Sequence, residues 1–167
     1  MEREQPTSRR DGPPKMNVHK IDPSPSAARM KPPPARQAEQ SYYFSKILPL
    51  GFDQALRRTT EALKKEGFGI ITEIDVKETL KAKIGVEFRN YRILGACNPK
   101  LAHEALQLED KIGTMLPCNV VVQEISGDRT EIAAIDPVAS MLAVNNPRLK
   151  QAALRVQKLL RHVIDTL

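Results

Sequence analysis

Two cysteines, Cys97 and Cys118, are all that 167 residues contain. So few make no extracellular disulfide framework, and their spacing of 21 residues holds no CxxC, which excludes a thioredoxin or zinc-ribbon signature. No apolar run approaches the roughly 18 residues that a membrane-spanning helix needs. The N-terminus is rich in Pro, Arg and Glu and lacks the apolar h-region of a secretory signal. These absences set the expectation of a reducing, cytoplasmic location. Catalytic signatures are missing too: there is no Ser/His/Asp order, P-loop, GxGxxG or HExxH. Gly67-Phe68-Gly69 is too short to cradle a phosphate and reads as a helix leading into a strand. No internal repeat is visible.

Aromatic residues are absent from residues 1–40, where eight of the 13 prolines gather. The only large apolar side chains there are Met1, Met16, Val18, Ile21 and Met30. Ordering a backbone costs roughly 1–2 kcal/mol per residue, and so little apolar surface does not offset it. Residues 1–40 are therefore expected to form a disordered, proline-rich arm. Within it Lys31-Pro32-Pro33-Pro34 is a polyproline II seed of the kind that docks on aromatic grooves, although a plain spacer accounts for the composition as well. From Ser41 onward apolar residues recur regularly, and residues 41–167 suffice for one domain with a real core.

Charge does not point to one partner. The net charge is +6, with eight Lys/Arg and five Asp/Glu in residues 1–40 against 18 and 15 in residues 41–167. A nucleic-acid binder concentrates basic charge on one face or helix. Here the excess is shared equally, so nucleic acid is not the expected partner, and neither is a membrane.

The domain reads as strands alternating with amphipathic helices. Ser41–Leu48, Phe68–Ile74 and Tyr91–Cys97 have the aromatic and β-branched content of strands. Cys118–Ile125 and Arg129–Ile135 flank Gly127-Asp128 as a hairpin. Helical spacing runs from Phe52 to Gly67, with a short helix from Asp75 to Gly85, a second main helix after Pro99, and a turn or short helix over Asp110–Met115. Asp136-Pro137 breaks the pattern, and a short helix is expected around Ala139–Ala143. A last helix runs from Pro147 to Leu167, its stripe built from Leu149, Ala152, Ala153, Val156, Leu159, Leu160, Val163, Ile164 and Leu167. The order β-α-β-(α)-β-α-β-β-α predicts an α+β fold, a five-stranded mixed or mostly antiparallel sheet covered by helices as a two-layer sandwich.

Three blocks and two short motifs carry a resemblance. They are Gly67-Phe68-Gly69-Ile70-Ile71-Thr72-Glu73-Ile74-Asp75-Val76, Tyr91-Arg92-Ile93-Leu94-Gly95-Ala96-Cys97-Asn98-Pro99 and Ile112-Gly113-Thr114-Met115-Leu116-Pro117-Cys118-Asn119-Val120-Val121-Val122, followed by Asp136-Pro137 and Asn145-Asn146-Pro147. In order and spacing they resemble a bacterial and archaeal family, domain of unknown function family 302. The blocks lie between about Gly51 and Leu167, and the resemblance as a whole spans about residues 43–167. It implies a compact α/β sandwich, often a homodimer, and it brings no activity with it. Fold supplies no function in any case.

The candidate site is built on Cys97, Asn98, His103 and Cys118. Cys97 ends one strand and Cys118 begins another. If those strands are neighbours, the sulfurs approach each other at one edge of the sheet, with His103 and Glu104 on the helix that follows. Such a group offers soft ligands or a reactive thiol. Buried cysteines are also ordinary core residues, His103 an ordinary surface residue, and Asn98 an ordinary helix cap. Arg148, Arg155 and His162 form a basic stripe that a solvated helix face explains more simply. The leading expectation is a non-enzymatic module that binds a small ligand or another protein, with thiol redox or metal binding at Cys97 and Cys118 as the alternative. No cofactor is named by these residues.

Overall fold

The structure, a computed structural model, describes residues 41–167. The arm expected over residues 1–40 lies outside the described residues. Five strands, β1 (Tyr43–Leu48), β2 (Gly69–Asp75), β3 (Tyr91–Cys97), β4 (Cys118–Ser126) and β5 (Arg129–Ile135), form one open sheet in the order β1-β5-β4-β3-β2. All four pairings are antiparallel, which settles the choice between a mixed and an antiparallel sheet. The fold is α+β.

Side chains on a strand alternate between faces, so register decides what is buried. Leu94 pairs with Val120 and Val120 with Ala134, while Val122 pairs with Ile132. All five side chains are buried, against α1 (Phe52–Lys65) and α5 (Pro147–Thr166). In α1 the buried positions Ala55, Thr59 and Leu63 fall four residues apart on one stripe. Thr59 is the polar member, and its hydroxyl donates to the Ala55 carbonyl at 2.8 Å, which removes the cost of burying it unpaired. In α5 the predicted stripe is buried at Leu149, Ala152, Ala153, Leu160, Val163 and Ile164. Each fully buried Leu or Ile contributes roughly 1.5–3 kcal/mol.

The remaining elements are shorter. They are α2 (Val76–Ile84), α3 (Pro99–Leu108), a 3-10 helix over Asp110–Met115 and α4 (Pro137–Ser140). Asp75 caps α2 by accepting from the Glu78 N–H. The short helix expected around Ala139–Ala143 starts earlier, at Pro137. Asp136 accepts from the N–H groups of Val138 and Ala139, and proline occupies the first helical turn. The Asp136-Pro137 pair that reads as a break is thus a helix start. Asp136 is buried, and the Gln157 amide donates to both its oxygens at 2.9 Å, fastening α4 to α5. No helix among the described residues is long and apolar enough to cross a membrane.

One glycine is demanded by a close approach. A Cβ at Gly95 would stand 2.1 Å from the Thr72 hydroxyl on β2 and 2.7 Å from Cγ of Pro117, the residue that leads into β4. Gly95 therefore lets β2, β3 and the entry to β4 close up together. Gly95→Ala is expected to lower unfolding free energy by about 3 kcal/mol through overpacking. Chemical denaturation of the variant beside the parent checks this, and an unchanged midpoint would refute it.

Candidate functional site

β3 and β4 are neighbours in the sheet, and Ala96 pairs directly with Cys118. Cys97 is the next residue along β3, where the strand ends, and it pairs on its other side with Gly69 of β2. The two cysteines thus lie at one end of paired inner strands, not at a lateral edge of the sheet. Both are free and partly buried.

An apolar cavity opens at this end. Its sheet side is formed by Ala96, Cys97 and Cys118, and Leu116 and Pro117 add the chain that enters β4. Leu101, Ala102 and Ala105 of α3 line it, as do Leu149, Ala152, Ala153 and Val156 of α5, with Phe68, Pro137 and Met141 completing the wall. It sits where two buried clusters meet. Phe68 and Ala96 belong to the main core, Ala105 and Leu149 to a smaller one around Ile112. Several of the lining residues are alanines, whose small side chains leave the space unfilled. The cavity measures about 40 Å³, and the cleft as a whole, open solvent included, about 500 Å³. A water needs roughly 10–15 Å³ measured in this way, so the inner part accepts only a few heavy atoms.

Asn98 is the polar residue of the wall. Its Oδ1 accepts from the Leu101 N–H at 3.4 Å, so the helix-cap reading of this residue holds, and Pro99 stands in the first turn behind it. Its Nδ2 lies so close to Gly67 that a Cβ there would approach to 3.1 Å. Gly67 has φ +80°, a conformation that favours glycine, and this turn brings the end of α1 against Asn98.

His103 is not brought to this site. It is exposed on α3, while Leu101, Ala102 and Ala105 turn toward the cavity. Its neighbour Glu104 pairs instead with Arg155 of α5. The basic stripe of α5 is partly engaged as well: His162 lies 3.6 Å from Glu66, and the Arg161 guanidinium stacks 4.1 Å from the Phe44 ring centroid. Among the described residues no group of three or more His, Cys, Asp or Glu is placed to hold a metal ion.

Sequence reasoning found the thiols and Asn98 but not the cavity. The helical residues of the wall read as plain core, because an alanine that packs and one that leaves a void look alike in a sequence. A polar chain was missed too. Lys77 donates to Asn90, whose amide donates to Glu124 at 2.8 Å, tying α2 to the far end of β4. The asparagine just before a strand start was its only signal.

Burial pushes the Cys118 thiol up from its ordinary value of 9.0 to about 11, and the neighbouring Cys97 pushes it the same way. Near neutral pH Cys118 is therefore a protonated, weakly polar wall residue and not a thiolate nucleophile.

A two-layer α+β fold, with one sheet face under helices and an apolar cleft at the strand ends, defines the class. The sequence model described as Domain of unknown function DUF302 matches residues 44–167. The chain belongs to that family. It is similar to the crystal structure of an uncharacterized conserved protein DUF302 from Bacillus stearothermophilus, with 31% identity and a TM-score of 0.68 over 74% of this chain and 96% of that one. No protein with a curated description matches the chain.

The Cys118 thiol makes stability fall in alkali. A group whose folded value is raised stabilises the fold fully below its unfolded value and loses that contribution as pH rises through the folded one. Between pH 9 and about 11 the contribution lost is expected to reach about 2–3 kcal/mol. Urea titrations across this range should show a steeper decline for the parent than for Cys118→Ala, and parallel curves would refute the assignment.

Proposed function

We propose that this domain is a non-enzymatic module that binds a small, mainly apolar molecule in the cleft between α3, α5 and the cysteine-bearing ends of β3 and β4. One observation carries the reading. Asn98 and two cysteines are the only residues of the cleft wall that are not plainly apolar, the pattern of a site that takes an apolar body and orients it by a few polar atoms. Cys97, Asn98 and Cys118 are the orienting residues. His103, on the outer surface of α3, has no part in it. We infer further that the domain of residues 41–167 works as a homodimer in the cytoplasm, where its free thiols stay reduced.

The alternative, redox or metal chemistry at Cys97 and Cys118, draws on one fact: both cysteines line the same cleft. It is weakened by the protonated state of Cys118 and by the lack of a third ligand beside them among the described residues.

Indole serves as a probe of the cleft. Titrated into the isotope-labelled full chain, it is expected to shift amide resonances of Cys97, Asn98, Ala102 and Val156 with millimolar or tighter affinity. Ala102→Phe should fill the cleft and weaken that affinity at least tenfold while leaving the rest of the spectrum in place. Shifts confined to other surfaces, or none at millimolar indole, would overturn the reading.

A further inference from the structure

β1 and β2 are the two edges of the sheet, and they are finished differently. β2 carries a register shift between Ile70 and Thr72, and Arg92 of β3 ties down its Glu73 and Asp75 at 3.4 and 2.9 Å. Bulges and charges of this kind protect an edge from further pairing. β1 runs beside β5 without a shift. The Asp136 N–H donates to the Tyr42 carbonyl at 2.7 Å, so by the alternation of an antiparallel pair Tyr43, Ser45 and Ile47 turn their N–H and C=O groups outward. Ser41 takes up those of Tyr43: its hydroxyl donates to the carbonyl at 2.7 Å and accepts from the N–H at 3.3 Å. Ser45 lines a groove of about 600 Å³ between β1, α4 and α5, a volume in the range of small-ligand sites.

Arg161 and Asp165 of α5 line the same groove. They stand four residues apart, the spacing at which an Arg and an Asp on a helix ordinarily pair. Here they do not. Arg161 is drawn onto the Phe44 ring, and no ion pair among the described residues includes either residue. Lys46 meets Asp165 at its main-chain carbonyl, 2.8 Å away, and not at its carboxylate. Asp136, also in the wall, is already taken up by two N–H groups of α4 and the Gln157 amide. α5 holds five Lys/Arg and one acid, Asp165, and with α1 the helical layer reaches nine Lys/Arg against three acids. The groove thus offers one cation and one anion beside a free stretch of strand edge. Distance chooses between ligands. Four residues of helix rise about 6 Å. A free amino acid holds its charged ends about 2.5 Å apart, whereas two residues of extended chain span about 7 Å.

We propose that this groove is a binding site for a short peptide with free ends, about two residues long. Its main chain adds to the outer edge of β1 at Ser45, its carboxylate meets the Arg161 guanidinium and its ammonium meets the Asp165 carboxylate. The Phe44 ring holds the guanidinium in place, so less freedom is lost when the carboxylate arrives. The groove shares no lining residue with the apolar cleft, and the two readings stand independently.

Alanylalanine titrated into the isotope-labelled full chain tests this. It is expected to shift the amide resonances of Ser45 and Ala139 and the Nε–H resonance of Arg161, with a millimolar dissociation constant. The same peptide acetylated and amidated at its ends, and free alanine, should each bind about tenfold more weakly or worse. Arg161→Gln and Asp165→Asn should each weaken alanylalanine about threefold or more, with the circular dichroism spectrum unchanged. Arg148→Gln, at the other end of α5, should leave the affinity as it is. Should Arg161→Gln lose its fold together with its stack on Phe44, Asp165→Asn and the blocked peptide decide. No shift at millimolar peptide, or shifts confined to the apolar cleft, overturns the proposal. So does equal binding of the blocked peptide or of alanine, or unchanged affinity in either folded groove variant.

Discussion

The apolar character of β4 on both its faces governs the architecture. Val120 and Val122 point to one side, Val121 to the other, and both helical neighbours and register follow from burying the first pair. α1 and α5 each bring an apolar stripe to that side, so their outer surfaces are left to take up the charged residues. The positive helical layer is thus a by-product of how the core is covered.

The cleft arises from the same arrangement. α5 is long enough to serve two clusters, with Leu160, Val163 and Ile164 in the main core and Leu149 in the smaller one. Between these ends its inward residues are Ala152, Ala153 and Val156, and α3 opposes them with Ala102 and Ala105. Alanine lets helices approach but fills little volume, and close packing elsewhere leaves no side chain free to move in. Cys97, Asn98 and Cys118 line this gap because β3 ends and β4 begins there.

Most of the fold was legible because its signals are local. Asp75 before Val76, Asn98 before Pro99 and Asn146 before Pro147 mark helix starts that the structure repeats. Asp136-Pro137 carries the same signature, yet the expected helix was placed two residues late, because proline after a strand reads first as a breaker. Register was the harder part. Cys97 and Cys118 are placed together by the β3–β4 pairing, and nothing in either strand alone states which strand lies beside it. His103 looked like a partner because it follows Cys97 closely in sequence, but helical rotation turns it outward. The resemblance to the family named the fold and supplied no chemistry, so the site had to come from packing.

The contact at Gly95 couples three parts of the chain. Positions 72, 95 and 117 belong to three separate stretches of chain, yet the space above the Gly95 Cα is already filled by the Thr72 hydroxyl and the Pro117 ring. A side chain at 95 fits without strain only if 72 shrinks and 117 withdraws, and withdrawing 117 displaces the chain that carries Cys118. The three positions are sterically coupled, so a side chain added at 95 presses on the stretch that leads into the mouth of the cleft.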